Sequence, residues 1–448
     1  MLLPMKLLRR LSQRCRAACA APILVTAAMA QAHPGKAGED VAAWVASRLQ
    51  EFESFYQDLH EHPELSFQER RTAECFAAGL RQQGLEVTTE VGGTGVVAVL
   101  ANGPGPVVML RADLDALPIA EMTGLPYAST VRAEAQNGAA IGVMHACGHD
   151  LHMTSALATA SWFASNRNDW RGTLVCIGQP AEERASGAKA MLHDGLFERF
   201  PRPNVAFALH CEPLLPTGTV GFRAGPLMAA VDSVDVTIFG RGGHGAAPHR
   251  TIDPILIASQ YVLALQTIIS REIDPVQPAV ITVGSFHAGS KHNIIPDRCD
   301  LQLTVRSYDE GVRAQMRTAI VRKARALSEA AGAPEPRVEF SEPTGALRND
   351  AELTATTATA LREALGEAQV VEVQPQMVAE DFGQFGDAGV PICMLRLGTT
   401  TEERLASWQD KGGPPGLHTA GYYPDLRASL TTGVVASVAA LKAALARP

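Results

Sequence analysis

Long basic runs are missing from the chain beyond its first few dozen residues, and its formal net charge is −8. A nucleic acid would meet no positive surface, which excludes nucleic-acid binding as the main role. No C-x-x-C pair occurs, so there is no dithiol motif. No internal repeat or low-complexity tract is present, which excludes a repeat architecture. The apolar run near the N-terminus is too short to span a bilayer as a permanent helix. What remains is a 448-residue chain with 46% hydrophobic and 19% charged residues. That is the make-up of a folded globular protein of two or three domains.

The N-terminus is a separate object. "MKLLRRLSQRCR" is basic, "AACAAPILVTAAMA" is apolar, and "AMA" precedes Gln31. This layout predicts a secretory signal peptide over residues 1–30 and export to a periplasm or beyond. Cys15 and Cys19 would leave with it. Of the other six cysteines, Cys176, Cys299 and Cys393 lie in strand-like apolar runs and read as small buried hydrophobes.

Along the mature chain, "EDVAAWVASRLQEFESFYQDLHEHPE" has helical spacing. "TAECFAAGLRQQG" is a second helix, closed by Gly84. Short continuous apolar runs follow: "PVVMLRADLDALP", "GTLVCIGQPAEE", "PNVAFALHCE" and "VPICMLRLG". Buried runs alternating with helices predict a layered α/β fold around a central sheet. Between 228 and 338 the texture changes to alternation. The expected order is strand 233–239, helix 252–271, strand 279–286, strand 298–307, helix 309–331 and strand 337–341. That is a ferredoxin-like βαββαβ unit. It reads as a domain inserted between two parts of the layered domain, 31–227 and 339–448.

Chemistry gathers after the buried runs. "PVVML" leads into Arg111, Asp113 and Asp115, "TLVCIGQPA" into Glu182 and Glu183, and "NVAFAL" into His210. Ligands of open α/β sheets bind beyond the carboxyl ends of the strands. "GVMHACGHD" crowds His145, Cys147, His149 and Asp150 into one stretch, and "GLHTAGYYPD" adds His418. Carboxylates crowded on one edge repel, and a divalent cation removes that cost. Histidine, cysteine and carboxylate together suit zinc or another first-row transition metal rather than calcium. Gly148 lets the backbone turn so that its neighbours converge. Adjacent glutamates point in different directions, so one of Glu182 and Glu183 can ligate while the other acts as general base. Spacing does not say which does which.

"HEHPELSFQE", "LRADLDALPI", "MHACGHDLH", "PAEE", "GRGGHGAAPH", "HNIIPD", "AEDF" and "GLHT" occur in this order. In this the chain resembles the dinuclear-metal aminoacylase and carboxypeptidase family, in its branch of hippurate hydrolases and indoleacetyl-amino-acid hydrolases. The likeness runs from about residue 40 to about 440. It implies a metal-binding catalytic domain, an inserted lid that also dimerises, and two divalent ions such as zinc, manganese, cobalt or nickel. It implies Cys147, His149, Glu183, His210 and His418 as ligands, with the Cys147 thiolate bridging, and Glu182 as base. Asp113 and Asp115 would orient the ligands from behind. His244 would reach the partner subunit's site and steady the developing oxyanion. Asn293 and Arg306 would contact the substrate, since an arginine fork suits a carboxylate. His145, His152 and Glu380 receive supporting roles only. The stretch "TTEERLASWQDKGGPPG" and the tail "TAGYYPDL" depart from the family pattern and leave the acyl preference open.

The resulting expectation is an exported amidohydrolase that forms a homodimer or a higher homo-oligomer. It would cleave N-acyl or N-aroyl amino acids with a metal-activated water, and needs no nucleic-acid partner or permanent membrane anchor. The alternatives are a carboxypeptidase or dipeptidase with the same machinery, and a secreted metal-binding protein without catalysis.

Overall fold

A computed structural model describes residues 35–446 apart from 135–137 and 139. The expected signal segment, with Cys15 and Cys19, lies outside the described residues.

The short apolar runs form the centre of an eight-stranded sheet. Its order is Glu86–Val91, Gly95–Asn102, Gly172–Gln179, Val107–Asp113, Val205–Pro216, Ile392–Thr400, Val220–Phe222 and Val370–Glu372. The four strands from Gly172–Gln179 to Ile392–Thr400 are mutually parallel. Antiparallel pairs flank them on both sides. Both faces of these strands are covered, which is why they read as continuous rather than alternating runs. One face packs Leu110, Leu209 and Leu395 against Leu157 and Val434 of the helices His149–Ser165 and Leu426–Leu445. The other packs Met109, Ile177, Ala208 and Met394 against Met191, Phe382 and Phe385. Leu426–Leu445 is long and apolar enough to cross a bilayer, but its apolar window is 72% buried, as befits a core helix.

A second, four-stranded antiparallel sheet has the order Ala279–Ala288, Arg298–Ser307, Ala230–Phe239 and Arg337–Thr344. Helices Pro254–Arg271 and Glu310–Ala330 contribute Tyr261 and Ile320 to an apolar cluster of its own, with Val236 and Leu301. The succession of these elements is the βαββαβ read from the sequence. The first helix begins at Pro254 rather than 252 because Asp253 accepts the Ile255 N–H at 2.9 Å and proline suits the first helical position.

The single long helix expected at the start of the mature chain is two. Lys36–Ser47 and Leu49–Glu61 break at Arg48. No glycine or proline marks the break. Gly38 instead lies so close to Ala364 of a neighbouring helix that a Cβ would stand 2.0 Å from its carbonyl oxygen. Docking there sets the first helix's course, and the second turns to bury Phe52, Tyr56 and Leu59.

Candidate metal centre

Side chains alternate across a sheet, so Met109, Arg111 and Asp113 share a face, deep to shallow. Register places Asp113 level with Gln179, and His210 level with Arg396. Each inner strand thus carries apolar residues low on this face and polar ones at its carboxyl end. His210 was expected just past its strand. It lies inside one, because Val205–Pro216 stays paired with Ile392–Thr400 after parting from Val107–Asp113 at Ala208.

The "ACGHD" turn delivers the next donors. Gly148 has φ +80°, and a Cβ there would meet the Cys211 Sγ at 2.7 Å. His149 opens the helix His149–Ser165, and its Nδ1–H donates to the Asp115 carbonyl at 2.8 Å. This fixes the tautomer and turns Nε2 inward. The ligating atoms of Cys147, His149 and Glu183 all lie within 4.8 Å of one another. His210 brings Nε2 to 3.7 Å from the Cys147 Sγ, while its Nδ1–H donates to the Cys211 carbonyl at 2.9 Å. His418 brings Nε2 to 3.4 Å from Glu183 Oε1. Its φ of +61° is rare for a side-chain-bearing residue, and its N–H is held by the Ala146 carbonyl at 2.9 Å. Cys147, His149, Glu183, His210 and His418, far apart in sequence, therefore meet.

The two aspartates act on this cluster from behind. The Asp115 carboxylate accepts the N–H groups of Glu182 and Glu183 at 3.1 and 3.0 Å and the Ser66 hydroxyl at 2.7 Å. Asp113 accepts from His152 Nδ1 at 2.7 Å and from Arg111 at 2.6 Å. The adjacent glutamates diverge as their sequence adjacency requires. Glu183 joins Cys147 and His149, whereas Glu182 joins Asp113 and Glu380.

Burial, then the carboxylates of Glu380 and Glu183, push Glu182 well above the usual carboxylate range. Burial and Glu183 hold the Cys147 thiol up. Burial, then the Arg396 charge, hold His210 well below its ordinary value, so its ring is neutral and able to ligate. A bound cation would reverse the thiol's tendency and yield a thiolate. Among the described residues, His149 Nε2 and Glu183 Oε1 are buried without any hydrogen-bond partner. Two orphaned atoms facing a thiol and two imidazoles are what a divalent transition metal would satisfy, so the residues fit the ion.

Three expected site residues are elsewhere. His244 and Asn293 lie exposed on the ribbon formed by Gly243–His244 and Ile294–Ile295, where the Gly245 N–H donates to the Asn293 carbonyl at 2.9 Å. Arg306 is half-buried on the second sheet, with Nε donating to Thr304 Oγ1 at 3.1 Å. Among the described residues, no hydrogen bond or ion pair joins these three to the Cys147 cluster.

Of two buried arginines on this face, the sequence reading named Arg111 without giving it a role and passed over Arg396. Arg111 donates to Gln179, Asp113, Glu380 and Asp381, tying the strand ends to the "AEDF" loop behind Glu182. Arg396 pairs with Glu212 at 2.6 Å beside His210. The available signal was an arginine inside an otherwise buried apolar run, "VVMLRAD" and "ICMLRLG". Such a residue must find a partner.

Residues 109–411 match the model of peptidase family M20/M25/M40. The chain is 40% identical over 337 residues to the hippurate hydrolase of Campylobacter jejuni, covering 75% of this chain and 85% of that protein. It is 39% identical over 328 residues to an N-acetyl-L-cysteine deacetylase of Bacillus subtilis, covering 73% and 75%. Among solved structures, a dinuclear metal binding peptidase from the M20 family of Bacillus subtilis superposes with a TM-score of 0.71 at 30% identity, covering 88% of this chain and 98% of that one. The motif order, the layered fold and the donor cluster agree with these matches, and the chain belongs to peptidase family M20/M25/M40.

Proposed function

We propose that this protein is a metal-dependent amidohydrolase that cleaves the amide bond of N-acyl or N-aroyl amino acids. The observation that carries the reading is the convergence of Cys147, His149, Glu183, His210 and His418, with Glu182 Oε2 at 3.8 Å from His149 Nε2. In this reading those five residues hold two divalent ions, which supply Lewis acidity and a water of lowered pKa. Glu182, its basicity raised by burial, takes a proton from the attacking water and returns it to the leaving amine nitrogen. Asp115 fixes the backbone of both glutamates, so base and ligand keep their separation.

The reading extends to a homodimer. The His244 Nδ1 accepts the Ala246 N–H at 3.0 Å, which leaves Nε2 as an N–H donor on an exposed ribbon. That donor suits an oxyanion in a second copy's site. Asn293 on the same ribbon and Arg306 then contact the amino-acid half of the substrate. The basic, apolar and small-residue order of residues 1–30 supports export. A panel of N-benzoyl amino acids, N-acetyl amino acids and unblocked dipeptides, offered to metal-reconstituted protein, tests the reading. Turnover of the blocked substrates supports it, and turnover confined to the dipeptides overturns it in favour of a peptidase.

A further inference from the structure

Arg396 is 3% exposed, yet only one of its three guanidinium nitrogens is satisfied. Its Nη2 donates to Glu212 Oε2 and to Gln376 Oε1, both at 2.6 Å. Gln376 Nε2 in turn donates to Glu212 Oε2 at 2.8 Å, closing a three-residue ring that fixes the guanidinium. Among the described residues Nε and Nη1 are buried without an acceptor, which leaves three N–H bonds unmade. A buried donor in that state costs free energy unless an oxygen reaches it.

Position makes the vacancy informative. Arg396 is the direct register partner of His210 in the adjoining parallel strand, so the two side chains leave the same face of the sheet side by side. On its other flank Arg396 pairs with Gly221, which adds no side chain there. Arg111, the other buried arginine of this face, is fully engaged with carboxylates and Gln179. Arg396 alone of the pair retains unused donors beside a residue of the candidate metal centre.

We propose that Arg396 is a specificity-determining residue, set by Glu212 and Gln376 to receive a carboxylate of the substrate. This rests on reading the chain as an N-acyl amino acid amidohydrolase. The carboxylate can belong to the amino acid's backbone, its side chain or the acyl group, and the chemistry of recognition is the same. The Glu212 ring keeps the planar donor edge rigid, so little order is lost on binding.

The test uses three matched pairs that differ by one carboxylate. They are N-acetyl-L-methionine and its amide, N-acetyl-L-glutamate and N-acetyl-L-methionine, and N-succinyl-L-methionine and N-pentanoyl-L-methionine. Each is assayed with metal-reconstituted wild type, with Arg396→Lys, and with the double variant Arg396→Met/Glu212→Gln, which leaves no lone buried charge. In one pair the wild-type preference for the acid over its neutral partner should fall in the double variant by on the order of 10²-fold, read as a ratio of kcat/KM values so that any change shared by both members through His210 cancels. That pair identifies the source of the carboxylate, and Arg396→Lys should restore part of the preference. Unchanged preference in all three pairs would overturn the inference while leaving the amidohydrolase reading intact. If wild type cleaves none of the compounds, the amidohydrolase reading fails instead. Calorimetric binding of the same pairs to wild type and double variant then decides the role of Arg396 by the same ratio.

Discussion

The carboxyl edge of the central sheet and the separate two-stranded ribbon that carries His244 make opposite uses of the same residue type. At the sheet edge, His149 and His210 are buried, and each Nδ1–H is locked onto a backbone carbonyl. On the ribbon, His244 is exposed and held by a single contact, from the Ala246 N–H. The first arrangement gathers its candidate metal donors within one chain. The second is a donor presented outward. In the proposed function the two are parts of one site, the first fixed by folding and the second supplied by another copy of the chain.

The comparison breaks first if metal proves dispensable. Chelation should abolish activity and lower the melting temperature, with both restored by zinc, manganese, cobalt or nickel. Full activity in metal-free protein would contradict the reading of the buried edge. Glu182→Gln should lose about 10²–10⁴-fold in kcat while elemental analysis shows its metal retained. His244→Ala should cost about 10²–10³-fold with the fold and metal content intact. Mixing these two inactive variants sharpens the contrast. If His244 acts across subunits, Glu182→Gln and His244→Ala protomers rebuild one working site in each mixed dimer, and activity returns. No recovery would assign His244 to its own chain. Gly148→Ala should destabilise by about 2 kcal/mol, because a left-handed residue gains a Cβ against the Cys211 Sγ, and its metal should exchange faster.

The smallest effect belongs to the surface of the second sheet's helices. Hydrogen bonding from Lys323, then Arg322, lowers the Glu272 pKa below its ordinary 4.5. Its folded pKa lies below the unfolded one, so its contribution is present above that value and fades as pH falls through the folded pKa. The group is part-exposed at the surface and its partners reach it from solvent, so Glu272→Gln should shift a melting curve little at pH 7 and less still in high salt.

What could be read from the sequence follows the same division. The parallel strands were legible because burial on both faces leaves continuous apolar runs, and Cys147 and His149 because two donors flank a glycine. The choice between Glu182 and Glu183 was not legible from spacing, since it depends on Asp115 holding both backbone N–H groups from 67 and 68 residues away. The partners of Arg111 and Arg396 were hidden for the same reason. Glu380 lies 269 residues from Arg111, and Glu212 lies 184 from Arg396. The break at Arg48 left no trace because no local breaker marks it, and the two helices pack against different neighbours, the first near Ala364 and the second mainly against His149–Ser165. The ribbon carrying His244 was found only through family resemblance, as nothing in a glycine-rich turn distinguishes a donor from an ordinary loop histidine.

The strand Ile392–Thr400 lies in the middle of the sheet although it comes late in the chain, and the helix Leu426–Leu445 beyond it packs against the very early helix Lys36–Ser47. The interior therefore cannot close around a partly synthesised chain. Neighbours in space that are strangers in sequence make folding slow and all-or-none. His210 cannot come to rest beside Arg396 until synthesis has passed that late strand. In the proposed function, a nascent fragment that lacks the late strand and His418 should hold the ion no better than an unfolded peptide.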